Sequence, residues 1–207
     1  MATTTIDNET ELSAVNSILG AIGQSPITKV NNEDVTYKNP EVSFIYNLLR
    51  DSNVDVQSEG WHFNTEYHVP FTPVNNEIAI ADNILKLDVS DDWSSREYDV
   101  INRDGKLYDK LDHTYEWTEK IDLDVIYLFE FEKIPVVFRR YITNRASRMA
   151  ATQLVANPQL VQLLGTQESM SRAACMEYEC NQANHSMFGF PDDSTITTYK
   201  PWRNLRR

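Results

Sequence analysis

The sequence predicts an α+β fold: an antiparallel helical bundle formed by the N- and C-terminal helices, with an inserted small antiparallel β unit and an extended C-terminal tail. Apolar residues recur at helical spacing towards both ends of the chain, but between residues 61 and 134 they alternate with polar residues. Beyond Phe190 the sequence has two prolines, a basic end and no amphipathic period. We therefore expect a bundle from residues 1–60 and 135–190, a β-rich acidic domain at 61–134 and a tail at 191–207.

Two helices are predicted before the β unit. The first covers residues 9–23, with Asn8 as its N-cap and Gly23 at its end. The second covers residues 40–59 and has Pro40 at its first position, where a missing N–H costs nothing. Each shows apolar residues three or four positions apart, which predicts one buried face.

The β unit is predicted from alternation and from one turn. Aromatic and polar residues alternate from Trp61 to Val69, which is typical of a half-buried strand. The dipeptide Asp104-Gly105 tolerates the positive φ angles of a tight hairpin. The remaining strands are expected at residues 78–80, 84–89, 98–102, 106–109 and 123–132.

Helical spacing returns after Pro135. One helix carries an apolar stripe that extends to Leu154 and is interrupted at Asn157-Pro158. A second long helix is expected from Pro158 to about residue 184, because a helical pattern continues through Gly165.

Overall composition excludes several classes of protein. The chain of 207 residues has a net charge of −12 and a pI near 4.7, which argues against a protein that wraps nucleic acid. Two cysteines are too few for a secreted disulfide scaffold, so an intracellular, reducing site of assembly is expected. Neither a membrane span nor a signal peptide is predicted, and the expected product is soluble.

Charge is distributed unevenly along the chain. Residues 1–134 hold 26 Asp and Glu against 10 Lys and Arg, whereas residues 135–207 hold five against nine. Between Lys133 and Glu168 there is no acidic residue, yet four arginines fall within ten positions: Arg139, Arg140, Arg145 and Arg148. These arginines predict an acidic neighbouring surface, although a solvated helix face explains them equally well.

No catalytic, metal or cofactor site is predicted. His62 and His68 are too far apart on an extended strand to share an ion, and Cys175 and Cys180 point in different directions on a helix. The sequence lacks a nucleophile elbow and a phosphate-binding loop. Paired carboxylates for glycoside hydrolysis are available in principle, but a solvated acidic surface accounts for them better: Glu66, Asp91, Asp92, Glu116 and Glu119.

Five stretches in this order resemble the tail tubular protein A family, the head-to-tail adaptors of short-tailed, T7-like bacteriophages. They are ELSAVNSILGAIGQSPI, SEGWHFNTE, VINRDGKLYD, PVVFRRYITNRASR and ACMEYE. The resemblance implies a structural virion protein of the tail and neck, assembled in the host cytoplasm, which forms a twelve-fold homo-oligomeric ring. It also implies three neighbours: the portal protein, a tail nozzle like tail tubular protein B, and double-stranded DNA that passes without specific binding. No membrane partner is implied.

Two alternatives are a tail-associated glycoside or cell-wall hydrolase, and a monomeric factor that plugs the portal. Two converging carboxylates in an aromatic-lined cleft would indicate the hydrolase, and ring symmetry separates the adaptor from the plug.

The tail is expected to dock on the portal as a clamp, because aromatic and arginine side chains dominate binding when they are buried at an interface. Portal contacts are assigned to two groups, the arginines at 139–148 and seven tail residues: Tyr199, Lys200, Trp202, Arg203, Leu205, Arg206 and Arg207.

Overall fold

The computed structural model describes residues 10–28, 40–90 and 98–182, and within these ranges the chain is an α+β protein. The fold class predicted from the sequence is therefore confirmed at this level. The tail, residues 191–207, lies outside the described residues. In chain order the elements are α1 Glu11–Ala21, α2 Pro40–Ser58, β1 Thr65–Phe71, β2 Ile84–Val89, β3 Val100–Arg103, β4 Lys106–Asp109, β5 Ile121–Tyr127, α3 Val136–Ala150 and α4 Pro158–Gln182.

Helix α3 packs against α1, α2 and α4. Its buried face follows the predicted spacing, and Phe138, Tyr141 and Ile142 are almost completely inaccessible to solvent. Phe138 meets the ring of Trp61 edge-on, with ring centroids 4.9 Å apart. The stripe ends in small residues, Ala146 and Ala150, whose short side chains allow neighbouring helices to approach closely.

The ends of α1 have clear local causes. The helix begins at Glu11 and its N-cap is Thr10, whose hydroxyl oxygen accepts the backbone N–H of Ser13 at 3.3 Å. The prediction of Asn8 as the cap was therefore wrong, because the helix begins two residues later than expected and Thr10 is its cap. At the other end Gly23 adopts a φ of 79°, a conformation that favours glycine, as the sequence predicted.

The connection between α3 and α4 differs from the prediction. A π-helical turn, Ala151–Val155, follows α3, and Ala156 then adopts a left-handed φ of 53°. The wider turn rotates Leu154 out of the apolar stripe, and this side chain is exposed rather than buried as expected. Asn157 then caps α4 by accepting the backbone N–H of Gln159 at 3.0 Å.

The strands form two antiparallel sheets within the described residues. One has the order β1–β5–β2, and the other is the hairpin β3–β4. Asp104 and Gly105 have φ angles of 56° and 72°, which confirms the predicted hairpin turn. Residues 78–80 were expected to form a strand, but Ala79 makes only an isolated bridge to Lys106.

The first strand was predicted to begin at Trp61, but β1 begins four residues later, at Thr65. Residues 61–64 form a turn, because the side chain of Asn64 accepts the backbone N–H of Trp61 at 2.8 Å and bends the chain. A bulge between Glu66 and Val69 then changes the alternation, so Tyr67 is exposed instead of buried. At the other end of the unit the chain leaves β5 after Tyr127, earlier than predicted, and forms a short 3₁₀ turn.

Buried apolar residues fall into two clusters. The helical cluster includes Trp61, Phe131 and Ile134 from the segments that border the strands. The sheet cluster is centred on Leu107, Leu123 and other residues of the β unit. The domain boundaries and the bundle topology expected from the sequence stay predictions. Within the part of the chain described here, no helix is long and apolar enough to cross a membrane.

Two glycine substitutions test this backbone. Gly60 has a φ of 76°, and an added Cβ would lie 2.7 Å from Cδ1 of Ile126, so Gly60→Ala is expected to destabilise the fold by about 1–2 kcal/mol. In Gly20→Ala the new Cβ meets nothing within 4 Å in a helix, so stability should rise by about 0.5–1 kcal/mol. Urea unfolding followed by circular dichroism measures both, and equal effects would contradict the assigned conformation of Gly60.

Candidate assembly surfaces

The structure does not bring the four arginines of α3 together as one open patch. Arg139 is buried, Arg145 and Arg148 are partly buried, and only Arg140 among the four is exposed. Arg145 donates to Oδ2 of Asp55 on α2 at 3.1 Å, and Arg148 forms an ion pair with Glu168 on α4. Much of the acidic neighbourhood that the sequence predicted therefore lies within the same chain.

Burial and pairing act on Arg145 in opposite directions. Desolvation is the largest influence and lowers its pKa, but hydrogen bonds to Tyr141 and Asp55 together outweigh it and raise the pKa above the usual value. Arg145 thus stays charged and joins α3 to α2.

Sequence reasoning missed Arg172, which holds α4 in place. Its guanidinium donates to both carboxylate oxygens of Glu59, at 2.9 and 2.8 Å, and to the hydroxyl of Tyr141 at 2.8 Å. The bond to Glu59, followed by that to Tyr141, raises the pKa of Arg172. No spacing rule predicts this group, because Glu59 lies 113 positions earlier in the chain.

A groove of about 440 Å³ runs between α3 and α4. On α4, Leu163, Gln167, Met170 and Ala174 follow one another at intervals of four, three and four, which places them along one stripe. Leu163 and Met170 are 66% and 68% exposed. The groove lining contains one cation and no carboxylate: Val137, Arg140, Asn144, Gln167, Met170, Ser171 and Ala174. We call this surface the α3–α4 groove.

A second hollow, of about 810 Å³, lies between α2 and the segment 128–131, with Glu11 of α1 at its edge. Gln57 fixes this segment, since its side-chain amide donates to the carbonyl of Phe129 at 2.9 Å and accepts the Phe129 N–H at 2.8 Å. The lining mixes apolar side chains such as Val54 with charged ones of both signs, the guanidinium of Arg50 and the carboxylate of Glu130. We call this surface the α2 hollow.

The β unit carries a polar hollow of about 380 Å³ with five carboxylates in its lining: Asp109, Asp112, Glu116, Glu119 and Asp122. Asp109 is 2% exposed and its Oδ1 accepts the backbone N–H of Leu111 at 2.9 Å, so this carboxylate supports the loop. Trp117 is also buried, and its indole N–H donates to the carbonyl of Leu107 at 3.0 Å. The ring therefore presents no open stacking face. We call this surface the acidic hollow.

The other sequence candidates are dispersed. Among residues 10–28, 40–90 and 98–182 there is no group of three or more His, Cys, Asp or Glu side chains that could hold a metal ion. Asp91, Asp92 and the proposed portal-binding residues of the tail lie outside the described residues: Tyr199, Lys200, Trp202, Arg203, Leu205, Arg206 and Arg207.

Comparison with known proteins identifies the family. The family described as Tail tubular protein matches residues 12–185. The chain belongs to the tail tubular protein family. It is 27% identical over 140 residues to Tail tubular protein A of Klebsiella phage KP34, an alignment that covers 65% of this chain and 67% of the relative. The resemblance seen in the sequence is confirmed, and the chain is a structural protein of a bacteriophage tail.

The two cysteines of this tail tubular protein test how α4 is seated. Cys175 is buried on α4, its thiol donates to the carbonyl of Val137, and burial raises its pKa to about 12. Because the thiolate is the reactive form, we expect a disulfide reagent at pH 8 to modify only Cys180 in the folded chain and both thiols after unfolding.

Cys180→Ser is the matched control and should abolish the rapid reaction. The pKa of Cys175 is higher in the folded chain than in the unfolded chain, so folding keeps this thiol protonated. The free energy of unfolding should therefore also fall as the pH rises above the ordinary thiol pKa of about 8.5. Rapid modification of Cys175 would contradict the packing of α4 on α3.

Proposed function

We propose that this tail protein is the head-to-tail adaptor of a short-tailed bacteriophage. In this proposal twelve copies form a ring that binds the portal protein on one side and the tail nozzle on the other. The ring lines the channel through which double-stranded DNA leaves the head. The family match supports a role in the tail, and the adaptor role rests on the further observation that the described chain separates two kinds of surface.

The two surfaces suit the two tasks of an adaptor. The α3–α4 groove combines exposed apolar side chains with Arg140, which is a composition suited to contact with protein. The acidic hollow has Glu116 and Glu119 exposed on the β unit. An acidic wall repels phosphate, so DNA can pass without forming salt-dependent contacts. We therefore propose that residues 61–134 supply the channel wall.

The portal contact is assigned to the tail, with Trp202 and Arg203 as its central residues. A segment that orders on binding loses conformational freedom at that moment, but repetition around a ring multiplies a modest affinity for each copy. Among the arginines of α3, Arg140 is the one that an external partner can reach most directly. Arg139 is buried, and Arg145 and Arg148 are partly buried.

We do not propose the alternative of a hydrolase. Cleavage of a glycosidic bond needs two free carboxyl groups beside a bound sugar. In the acidic hollow Asp109 supports a loop and the ring of Trp117 is covered, which removes one carboxylate and one aromatic face from a possible sugar site.

Deleting residues 192–207, or changing Trp202→Ala with Arg203→Ala, should leave the rest of the chain folded while filled heads fail to retain the adaptor. The physical reason is that the change removes the proposed portal contact, whereas the residues of both buried clusters all precede residue 192. Circular dichroism checks the fold, and protein analysis of purified heads checks retention. If the shortened chain attaches to portal rings with unchanged affinity, the clamp lies elsewhere, and the helix from Arg139 to Arg148 is the next surface to test.

Reversing charge in the acidic hollow should slow DNA release. In particles built with Glu116→Lys and Glu119→Lys, phosphate contacts would hold the DNA, so ejection should be slow at low salt and recover as salt rises. Ejection followed by dye fluorescence measures this. Asp51→Lys with Glu177→Lys makes the same change in net charge on exposed helical positions. Equal ejection rates in the two variants would place the channel wall on another surface.

A further inference from the structure

We infer that two buried amide side chains, those of Gln57 and Asn64, form a joint that fixes the orientation of the β unit relative to the helices. The inference goes beyond the proposed function, because it concerns the isolated chain and needs neither a ring nor a partner. The α3–α4 groove belongs to the helices and the acidic hollow to the β unit, so this joint sets the angle between the two surfaces.

The first argument is that apolar packing does not join the helices to the β unit. Within the described residues, no apolar side chain is shared between the helical cluster and the sheet cluster. The chain crosses between the two clusters twice, once after α2 and once after β5. Apolar contact is non-directional, so it does not by itself define an angle at such a junction.

The second argument is that Gln57 fastens the second crossing to the end of α2. Its side chain is completely buried. Its Nε2 donates to the carbonyl of Phe129 at 2.9 Å, and its Oε1 accepts the Phe129 N–H at 2.8 Å. The same Nε2 also donates to Oδ1 of Asn53 at 2.9 Å. Phe129 presents one donor and one acceptor, and an amide in one orientation satisfies both.

Asn64 fastens the two crossings to each other. This residue is 1% exposed, and its Nδ2 donates to the carbonyls of Gln57 and Tyr127, both at 2.9 Å. Its backbone carbonyl accepts the Tyr127 N–H at 2.8 Å. Gln57 lies in the last turn of α2 and Tyr127 is the last residue of β5, so one side chain ties the strand to the helix.

The third argument is that these bonds are directional and complete. Neither Gln57 nor Asn64 has a buried side-chain polar atom without a partner. A rotation of the β unit about the crossings would break several of these bonds together and leave buried polar groups unpaired, which costs free energy. Both clusters are apolar and contain neither amide, so loss of the joint should free the angle without unfolding either cluster.

The inference can be tested by measuring a distance between two spin labels on the purified full-length chain. Cys180 is exposed on α4 and takes one label, whereas Cys175 is buried and stays unlabelled. Asn102→Cys places the other label at an exposed position of β3. Pulsed electron paramagnetic resonance then gives the distribution of distances between the helices and the β unit. A single narrow distribution is expected for this parent chain.

Two variants break the joint in different ways. Gln57→Leu keeps a side chain of similar size and removes its bonds to Phe129. Asn64→Asp keeps the acceptor for the Trp61 N–H, and so the turn, but at neutral pH the carboxylate donates to neither carbonyl. In each variant we expect the distribution to widen to at least about twice its parent width, because packed units joined by loose crossings move as hinged bodies.

Asn144→Ala is the matched control. It removes an amide that donates to Ser171 between α3 and α4, which is a contact within the helices, so the distribution should keep its parent width. Circular dichroism checks that each variant is folded. A broad distribution in the parent chain, a narrow one in either amide variant, equal widening in Asn144→Ala, or unfolding of either amide variant would overturn the inference. None of these results bears on the adaptor function, which is tested in particles.

Discussion

Burial of Phe138 and Tyr141 on α3 determines where the other described helices lie. Both side chains are almost completely covered, and α3 contacts α1, α2 and α4 at once. The hydroxyl of Tyr141 accepts a hydrogen bond from Arg172 at 2.8 Å, so the same residue that fills the core also orients α4. Because Arg172 also binds Glu59, the residue that directly follows α2, the α3–α4 groove and the α2 hollow keep a fixed relation to each other. Removing either aromatic ring would create a cavity and loosen both surfaces together.

Some charged side chains of this tail tubular protein form ion pairs between its own elements, and others lie on exposed surfaces. Arg145 and Arg148 each pair with a carboxylate on a neighbouring helix, and Arg172 pairs with Glu59 directly after α2. These pairs connect elements that are distant in the sequence. Partly exposed pairs contribute little to stability, about 0–1 kcal/mol each, but they restrict the angle at which helices pack. Much of the acidic excess stays on the β unit, where five carboxylates line the acidic hollow. The separation follows from the fold, because the strands lie between α2 and α3 in the sequence.

Local signals in the sequence predicted the elements that depend on neighbouring residues alone. Strand β2 and the hairpin turn at Asp104-Gly105 lie where alternation and turn chemistry place them, and α2 and α4 end within about two residues of the expected positions. The predictions failed where a distant contact decides the conformation. Asn64 bends the chain because its amide also donates to the carbonyls of Gln57 and Tyr127. The pairing of Arg172 with Glu59 has no sequence signal for the same reason.

The central claim of the proposed function is that copies of the chain form a ring with the acidic β unit towards the channel. Electron cryomicroscopy of the neck of an assembled particle tests this claim in one measurement. The account predicts a closed ring in which Glu116 and Glu119 face the lumen. A single copy at the neck, or a ring with a basic lumen, would contradict it.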